Sequence, residues 1–205
     1  MIQIDTKKEY DLNNSNVAAQ NIQLGTYLKE INTKISGSSP VWDDLFFPLT
    51  TAKQGQTDKP AFDPNGIGYL YPPSDTTQIM YMIAQMPHSW AQGTSIDPHV
   101  HWKQESTGSP VFKMDYKWFP IGGSVPDTYS TFVMANKRLA YTSGSMHQLN
   151  SGSAMISGSS IASVSSIMII KLYRDDNTYA GNALVYQFDI HYLKDGFGSF
   201  NEFTK

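Results

Sequence analysis

The sequence predicts an all-β protein, an antiparallel two-sheet β-sandwich of jelly-roll type with about eight strands, preceded by an N-terminal arm and a short helix. Three observations predict it. Short stretches of alternating apolar and polar residues recur from Val41 onward, clusters of Gly, Pro, Asn, Asp and Ser separate them, and the connections between them are uneven in length. A period of two marks strands buried on one face. Uneven connections fit a two-sheet jelly roll better than a closed up-and-down barrel. With 205 residues, 40% of them hydrophobic and 13% aromatic, the chain is long enough for one such domain and an appendage.

Residues 1 to 20 are polar and Asn-rich with little periodicity, and read as an extended arm that needs a partner to become ordered. In NIQLGTYLKEINTKI, residues 21 to 35, Leu24, Leu28, Ile31 and Ile35 recur at spacings of four, three and four, and Val17 continues the stripe backwards. This is the a/d rhythm of a coiled-coil seam, with Asn21 at an a position where a polar side chain fixes register at some loss of stability. Gly25 costs the helix about 1 kcal/mol relative to alanine. Isolated helices this short are marginal in water, so association is expected to hold it. SGSSP, residues 36 to 40, reads as a hinge. The expected division is therefore an attachment or oligomerisation segment at 1–40 and a sandwich domain at 41–205.

The next 26 residues, VWDDLFFPLTTAKQGQTDKPAFDPNG, are rich in aromatics but hold three prolines. They are expected to form a long loop, either draped over a sheet or a neighbouring subunit, or closing one end of the sandwich. Strands are expected at 67–72, 77–85, 98–106, 110–119, 129–135, 145–150, 164–173 and 183–193. In PVFKMDYKWF, Phe112, Met114, Tyr116 and Trp118 share one face and Lys113, Asp115 and Lys117 the other. In ALVYQFDIHY the same pattern points Leu184, Tyr186, Phe188, Ile190 and Tyr192 inward, and Gln187, Asp189 and His191 outward. SSIMIIKLY does not alternate until Lys171, which predicts a central strand covered on both faces. ESTGSP between the third and fourth strands predicts a hairpin.

Composition narrows the function. Charged residues make up 16% of the chain, the net charge is −3, and no basic run is present, so nucleic acid is not an expected partner. The longest apolar run, IMII at 167–170, is too short to span a bilayer, and no charged-then-apolar leader opens the chain, so a soluble protein is expected. The absence of cysteine excludes disulfides, thiolate metal sites and a cysteine nucleophile.

The chemistry-bearing stretch is SIDPHVHWKQES, residues 95 to 106. His99 and His101 are two apart and on a strand would face the same way about 7 Å from each other. They are candidate metal ligands in a cupin-like arrangement, with Asp189, His191 and Glu105 as further ligands, although the Gly-rich context and closely following Glu usual in such motifs are missing. Alternatively they line a three-fold axis, where six imidazoles from three chains surround one ion. The reading favoured by the sequence is structural: imidazoles hydrogen-bonded to neighbouring strands on a partly buried face. The serines of LNSGSAMISGSSIASVSS, 149–166, lack a nucleophile elbow. No phosphate-binding loop, dinucleotide fingerprint or zinc-protease motif occurs. The acid pairs Asp43–Asp44 and Asp175–Asp176 point apart on a strand and suit turns better than glycoside hydrolysis. Trp90, Tyr129, Tyr141 and Tyr179 are candidate stacking residues for a host-surface glycan.

VWDDLFFP at 41–48, QMPHSW at 85–90, DPHVHW at 97–102, FDIHY at 188–192 and the C-terminal GSFNEFTK together resemble an uncharacterised family of proteins encoded by tailed bacteriophages and prophages. The resemblance covers residues 41 to 205. Members read DDLRFP where this chain has DDLFFP, so Phe46 replaces a basic residue and removes the ion pair expected there. The resemblance implies a non-enzymatic virion structural protein: a head decoration, head-fibre or tail-associated subunit acting in assembly and host-surface adhesion. A homo-oligomer, most simply a trimer joined in part through Val17, Leu24, Leu28, Ile31 and Ile35, and contacts with other virion proteins, go with that setting. The competing expectation is a metal-dependent cupin-like enzyme using His99 and His101.

Overall fold

The computed structural model describes residues 24–28, 40–73, 75–106, 108–137, 148–152, 154–161, 163–175, 179–196 and 198–199. The chain divides into two compact units, Met1–Ser39 and Pro40–Lys205. In the first, residues 24–28 form a helical turn whose Leu24 and Leu28 are exposed. Val17, Ile31 and Ile35 of the apolar stripe lie outside the described residues. Among the described residues no helix is long and apolar enough to cross a membrane.

The second unit is a sandwich of two antiparallel sheets. One contains β1 (Val41–Pro48), β3 (Ala61–Asp63), β4 (Gly68–Tyr71), β6 (Ile96–Lys103), β9 (Asn136–Lys137), β10 (Gln148–Ser151) and β12 (Ala183–Lys194), in the order β3-β4-β12-β6-β10-β9 with β1 also on β12. The other contains β2 (Lys53–Gln54), β5 (Met80–Gln85), β7 (Phe112–Phe119), β8 (Ser130–Met134) and β11 (Ile167–Arg174), in the order β2-β5-β11-β7-β8. All eight strands expected from the sequence are present. Counted as one to eight, they run 1-8-3-6 in the first sheet and 2-7-4-5 in the second, the interleaved order of a jelly roll.

The core lies between the sheets. Met80, Met82 and Ala84 of β5, Phe112, Met114 and Trp118 of β7, and Met168, Ile170 and Leu172 of β11 face Val100 and Trp102 of β6 and Val185, Phe188, Ile190 and Tyr192 of β12. Several contributors are methionines, whose unbranched thioethers fill the irregular gap between two twisted sheets. At the end of β11, buried Arg174 donates to the carbonyls of Tyr71 (2.9 Å), Gly181 (2.6 Å) and Tyr179, and its guanidinium lies over the Tyr179 ring. The fork thereby satisfies three carbonyls that would otherwise be left without a donor inside the fold.

Four expectations are corrected. Residues 41–66 are not one long loop: β1 pairs over eight residues with β12, from Val41↔Lys194 to Pro48↔Gln187. ESTGSP does not close a hairpin, because β6 and β7 belong to different sheets and the segment crosses between them. β11 is central, between β5 and β7, but is covered on one face only, with Met168, Ile170 and Leu172 buried and Ile167, Ile169 and Lys171 half-buried. In β12 a bulge between Val185 and Gln187 shifts the pairing with β6, so Val185 rather than Leu184 or Tyr186 enters the core. One inserted residue is enough to reverse the facing of a strand segment.

Candidate functional site

The three most distinctive motifs meet on adjacent strands. VWDDLFFP is β1, FDIHY lies in β12 and DPHVHW lies in β6, and β12 pairs with β1 on one side and β6 on the other. Directly opposite residues of an antiparallel ladder share a face. The register sets Asp44 beside His191 beside Asp97 in one row, and Phe46 beside Asp189 beside His99 in the next. Carboxylates and imidazoles thus form a patch on the side of the sheet away from the core, because Val100, Trp102, Phe188 and Ile190, the intervening residues, point inward.

Within the patch, His99 Nε2 lies 2.6 Å from Asp189 Oδ1, and His101 Nε2 donates to Asp189 Oδ2 at 3.1 Å. Gln187 Nε2 also donates to Oδ2, at 3.1 Å. The second ring nitrogen of His99, Nδ1, is 3.3 Å from the Asp97 carbonyl. His191 Nε2 lies 2.6 Å from Asp44 Oδ1, and its ring meets that of His99 edge-on with centroids 3.9 Å apart. The cluster is deep for a sheet face: His99 is 1% exposed and Asp189 3%. Two half-exposed aromatics of β1 flank Asp44 on this face, Trp42 at 50% and Phe46 at 53%, and the Trp42 ring stands 6.3 Å from that of His191.

The electrostatics follow from this crowding. Burial raises the Asp189 carboxyl, but the hydrogen bond from His101, the 2.6 Å approach of His99 and the positive charge of both imidazoles outweigh it and hold the group at about 2. Burial and the neighbouring His99 push the His191 imidazole below its ordinary value, against the opposing pull of Asp44. At the strand end, Asp43 points the other way from Asp44 and takes a 2.9 Å contact from Lys194 and a hydrogen bond from Tyr192, which lower its carboxyl.

Of the ligands considered from sequence, His99, Asp189 and His191 each place one ligand atom within 4.8 Å of the others. His101 joins the group through Asp189. Glu105 does not: it lies beyond the end of β6, exposed, with Lys103 Nζ at 2.6 Å. Asp44 belongs to the site although its sequence context suggests a turn, because only the β1–β12 register brings it to His191. The glycan candidates fare differently. Trp90 is buried and donates to Thr94 Oγ1, and Tyr179 is buried between the Glu105 amide and the Asn182 carbonyl, so neither is an exposed platform. Tyr129 is partly exposed beneath the ammonium groups of Lys117 and Lys171. Tyr141 lies outside the described residues.

The serine-rich stretch contributes one histidine contact. Ser165, at φ 60°, places Oγ 2.7 Å from His88 Nε2, while Ser199 Oγ is 2.6 Å from Nδ1. Both ring nitrogens therefore meet hydroxyls, which pins two distant segments together and lacks the carboxylate that orients a catalytic imidazole. Neither a family model nor a curated protein matches the chain.

Proposed function

We propose that the protein is a non-enzymatic structural subunit of a bacteriophage particle, a jelly-roll module carried in the virion as a homo-oligomer and acting through assembly with copies of itself and other virion proteins. The observation that carries this reading is β1. It is an eight-residue strand at the edge of its sheet, paired among the described residues with β12 alone, and Val41, Trp42 and Phe46 along it are half exposed. A long edge strand with exposed aromatics is a template for association unless something covers it, and the charges that would blunt this one, Asp43 and Asp44, are turned to Lys194 and His191. One of the five motifs that resemble phage proteins, VWDDLFFP, is this same strand. A finer role as head decoration, head fibre or tail-associated subunit, and adhesion to a host glycan, belong to the same proposal.

One observation favours the metal-dependent cupin-like enzyme, the His99–Asp189–His191 cluster. It opens on the outer side of the sheet, whereas the space between the sheets is occupied by Trp102, Met114, Met168 and their neighbours. The assembly reading therefore takes precedence. Its test is immuno-electron microscopy of purified particles with an antibody against residues 40–205, where labelling at regularly repeated positions is expected. Particles that never carry the protein would refute a virion role. Trp42→Asp combined with Phe46→Asp should weaken self-association in light scattering while leaving the β-rich circular dichroism spectrum unchanged.

A further inference from the structure

We propose that His99, Asp189 and His191 form a binding site for one divalent first-row transition-metal ion per chain, with Asp44 and His101 orienting the ligands. The inference is independent of the virion reading.

Three features of the patch carry it. First, the ligand atoms converge, one from each residue, all within 4.8 Å of one another. Nitrogen and oxygen ligands sit about 2.0–2.2 Å from a tetrahedral zinc ion, hence roughly 3.4 Å from each other, so closing the site needs only small side-chain rotations. Second, Asp189 Oδ1 is buried and accepts no well-aligned hydrogen bond, although His99 Nε2 is only 2.6 Å away. A carboxylate oxygen and an imidazole nitrogen held side by side without a hydrogen bond between them suit neighbouring positions on one cation. Third, the supporting partners are those that metal-bound imidazoles use. The Asp97 carbonyl lies against Nδ1 of His99, leaving Nε2 as the ligand, and the Asp44 carboxylate is 2.6 Å from the His191 ring. A carbonyl or carboxylate on the remote side of the ring fixes tautomer and orientation.

The donor set also selects the ion. Two imidazoles and one carboxylate suit Zn²⁺, Ni²⁺, Co²⁺, Fe²⁺ or Mn²⁺, whereas Ca²⁺ and Mg²⁺ favour shells built of oxygen and copper(I) favours the thiolates this chain lacks. Three protein ligands leave a fourth position to water or to a group from another chain. The ion would join β6 to β12, with Asp44 extending the linkage to β1, the edge proposed above for assembly.

The test is calorimetric titration of the chelator-treated full-length chain with Zn²⁺ and Ni²⁺, with Mg²⁺ as the contrast. One ion per chain is expected for the first two and no binding for Mg²⁺. Asp189→Asn and His191→Gln should each abolish tight binding, Asp44→Asn should weaken it by about 10–100-fold, and His88→Gln should leave it unchanged. No Zn²⁺ or Ni²⁺ binding, equal binding in Asp189→Asn and His191→Gln, or one ion per three chains would overturn the site. If a variant fails to fold, the wild-type chain loaded with Co²⁺ decides by proton NMR: paramagnetically shifted ring signals from two histidines support the site, and signals from none or one refute it.

Discussion

His99 and Asp189 are direct cross-strand partners on β6 and β12, and Nε2 of the imidazole stands 2.6 Å from Oδ1 of a carboxylate that is itself almost fully buried. His101 and Gln187 both donate to the other oxygen of that carboxylate, so the outer face of this sheet depends on one residue. Asp189→Asn removes the charge and half the acceptor capacity while the three neighbouring groups stay in place. Breaking a buried pair from one side costs about 3 kcal/mol or more. In the metal-free protein the thermal midpoint should therefore fall by about 6–12 °C. Calorimetry that finds the midpoint moved by under about 2 °C would show that the patch contributes little to stability.

Arg174 has the corresponding role on the opposite sheet. Its guanidinium serves the carbonyls of Tyr71, Gly181 and Tyr179 at once, a geometry that a lysine ammonium on a narrower stem cannot reproduce. Arg174→Lys keeps the charge but strands at least one buried carbonyl, at a cost of about 1–3 kcal/mol. Urea unfolding should show the midpoint falling with an unchanged slope. An unchanged midpoint would mean that water replaces the fork.

The strands of the sandwich were legible in the sequence because alternation directly reports half burial, and β7 shows it without interruption. β1 was not, since its aromatics flank two aspartates and its burial comes from lying along β12 rather than from a strongly two-faced pattern of its own. The phase of β12 is hidden in the sequence for a related reason. ALVYQFDIHY alternates smoothly, and no glycine or proline marks the bulge, which is visible only in the pairing with β6. Of the candidate site, the pair His99 and His101 could be read because both stand on one strand two residues apart. Asp189 and His191 were visible as a second such pair, but their convergence needs β6 and β12 to be neighbours across 88 residues of chain. Glu105 continues the same spacing and was excluded only by the end of β6 at Lys103.

The outer face of the second sheet has its own titration. Burial and the negative charge of Asp115, which also accepts a hydrogen bond from the Tyr173 hydroxyl at 3.1 Å, push the phenol up to about 12. The folded state therefore holds this proton more tightly than the unfolded chain, whose tyrosine titrates near 10. The contribution to stability is complete below pH 10 and is lost as the pH rises through 12. Ultraviolet titration should reveal tyrosines that ionise late, and Tyr173→Phe should remove one of them while the buried Tyr71 phenol, raised by its own burial, still titrates late. A wild-type titration in which all tyrosines ionise near 10 would contradict the environment assigned to Tyr173.

The last expectation concerns residues 17–35. Leu24 and Leu28 are exposed on the helical turn at 24–28, and the stripe they belong to continues in sequence through Ile31 and Ile35 and back to Val17. An isolated helix of this length gains too little from backbone hydrogen bonds to persist in water, so an apolar seam of this rhythm is stabilised chiefly by burying it against other helices. Mixed Leu and Ile at a and d positions does not choose between two and three strands, and the virion setting proposed above favours three. Light scattering should therefore find a trimer of the full-length chain, and Leu28→Asp with Ile31→Asp should reduce it toward monomer by placing like charges in the seam. A chain starting at Pro40, the first residue of the second compact unit, should keep a β-rich circular dichroism spectrum. A full-length monomer, or a trimer indifferent to the double substitution, would remove the helix from the interface and leave association to β1.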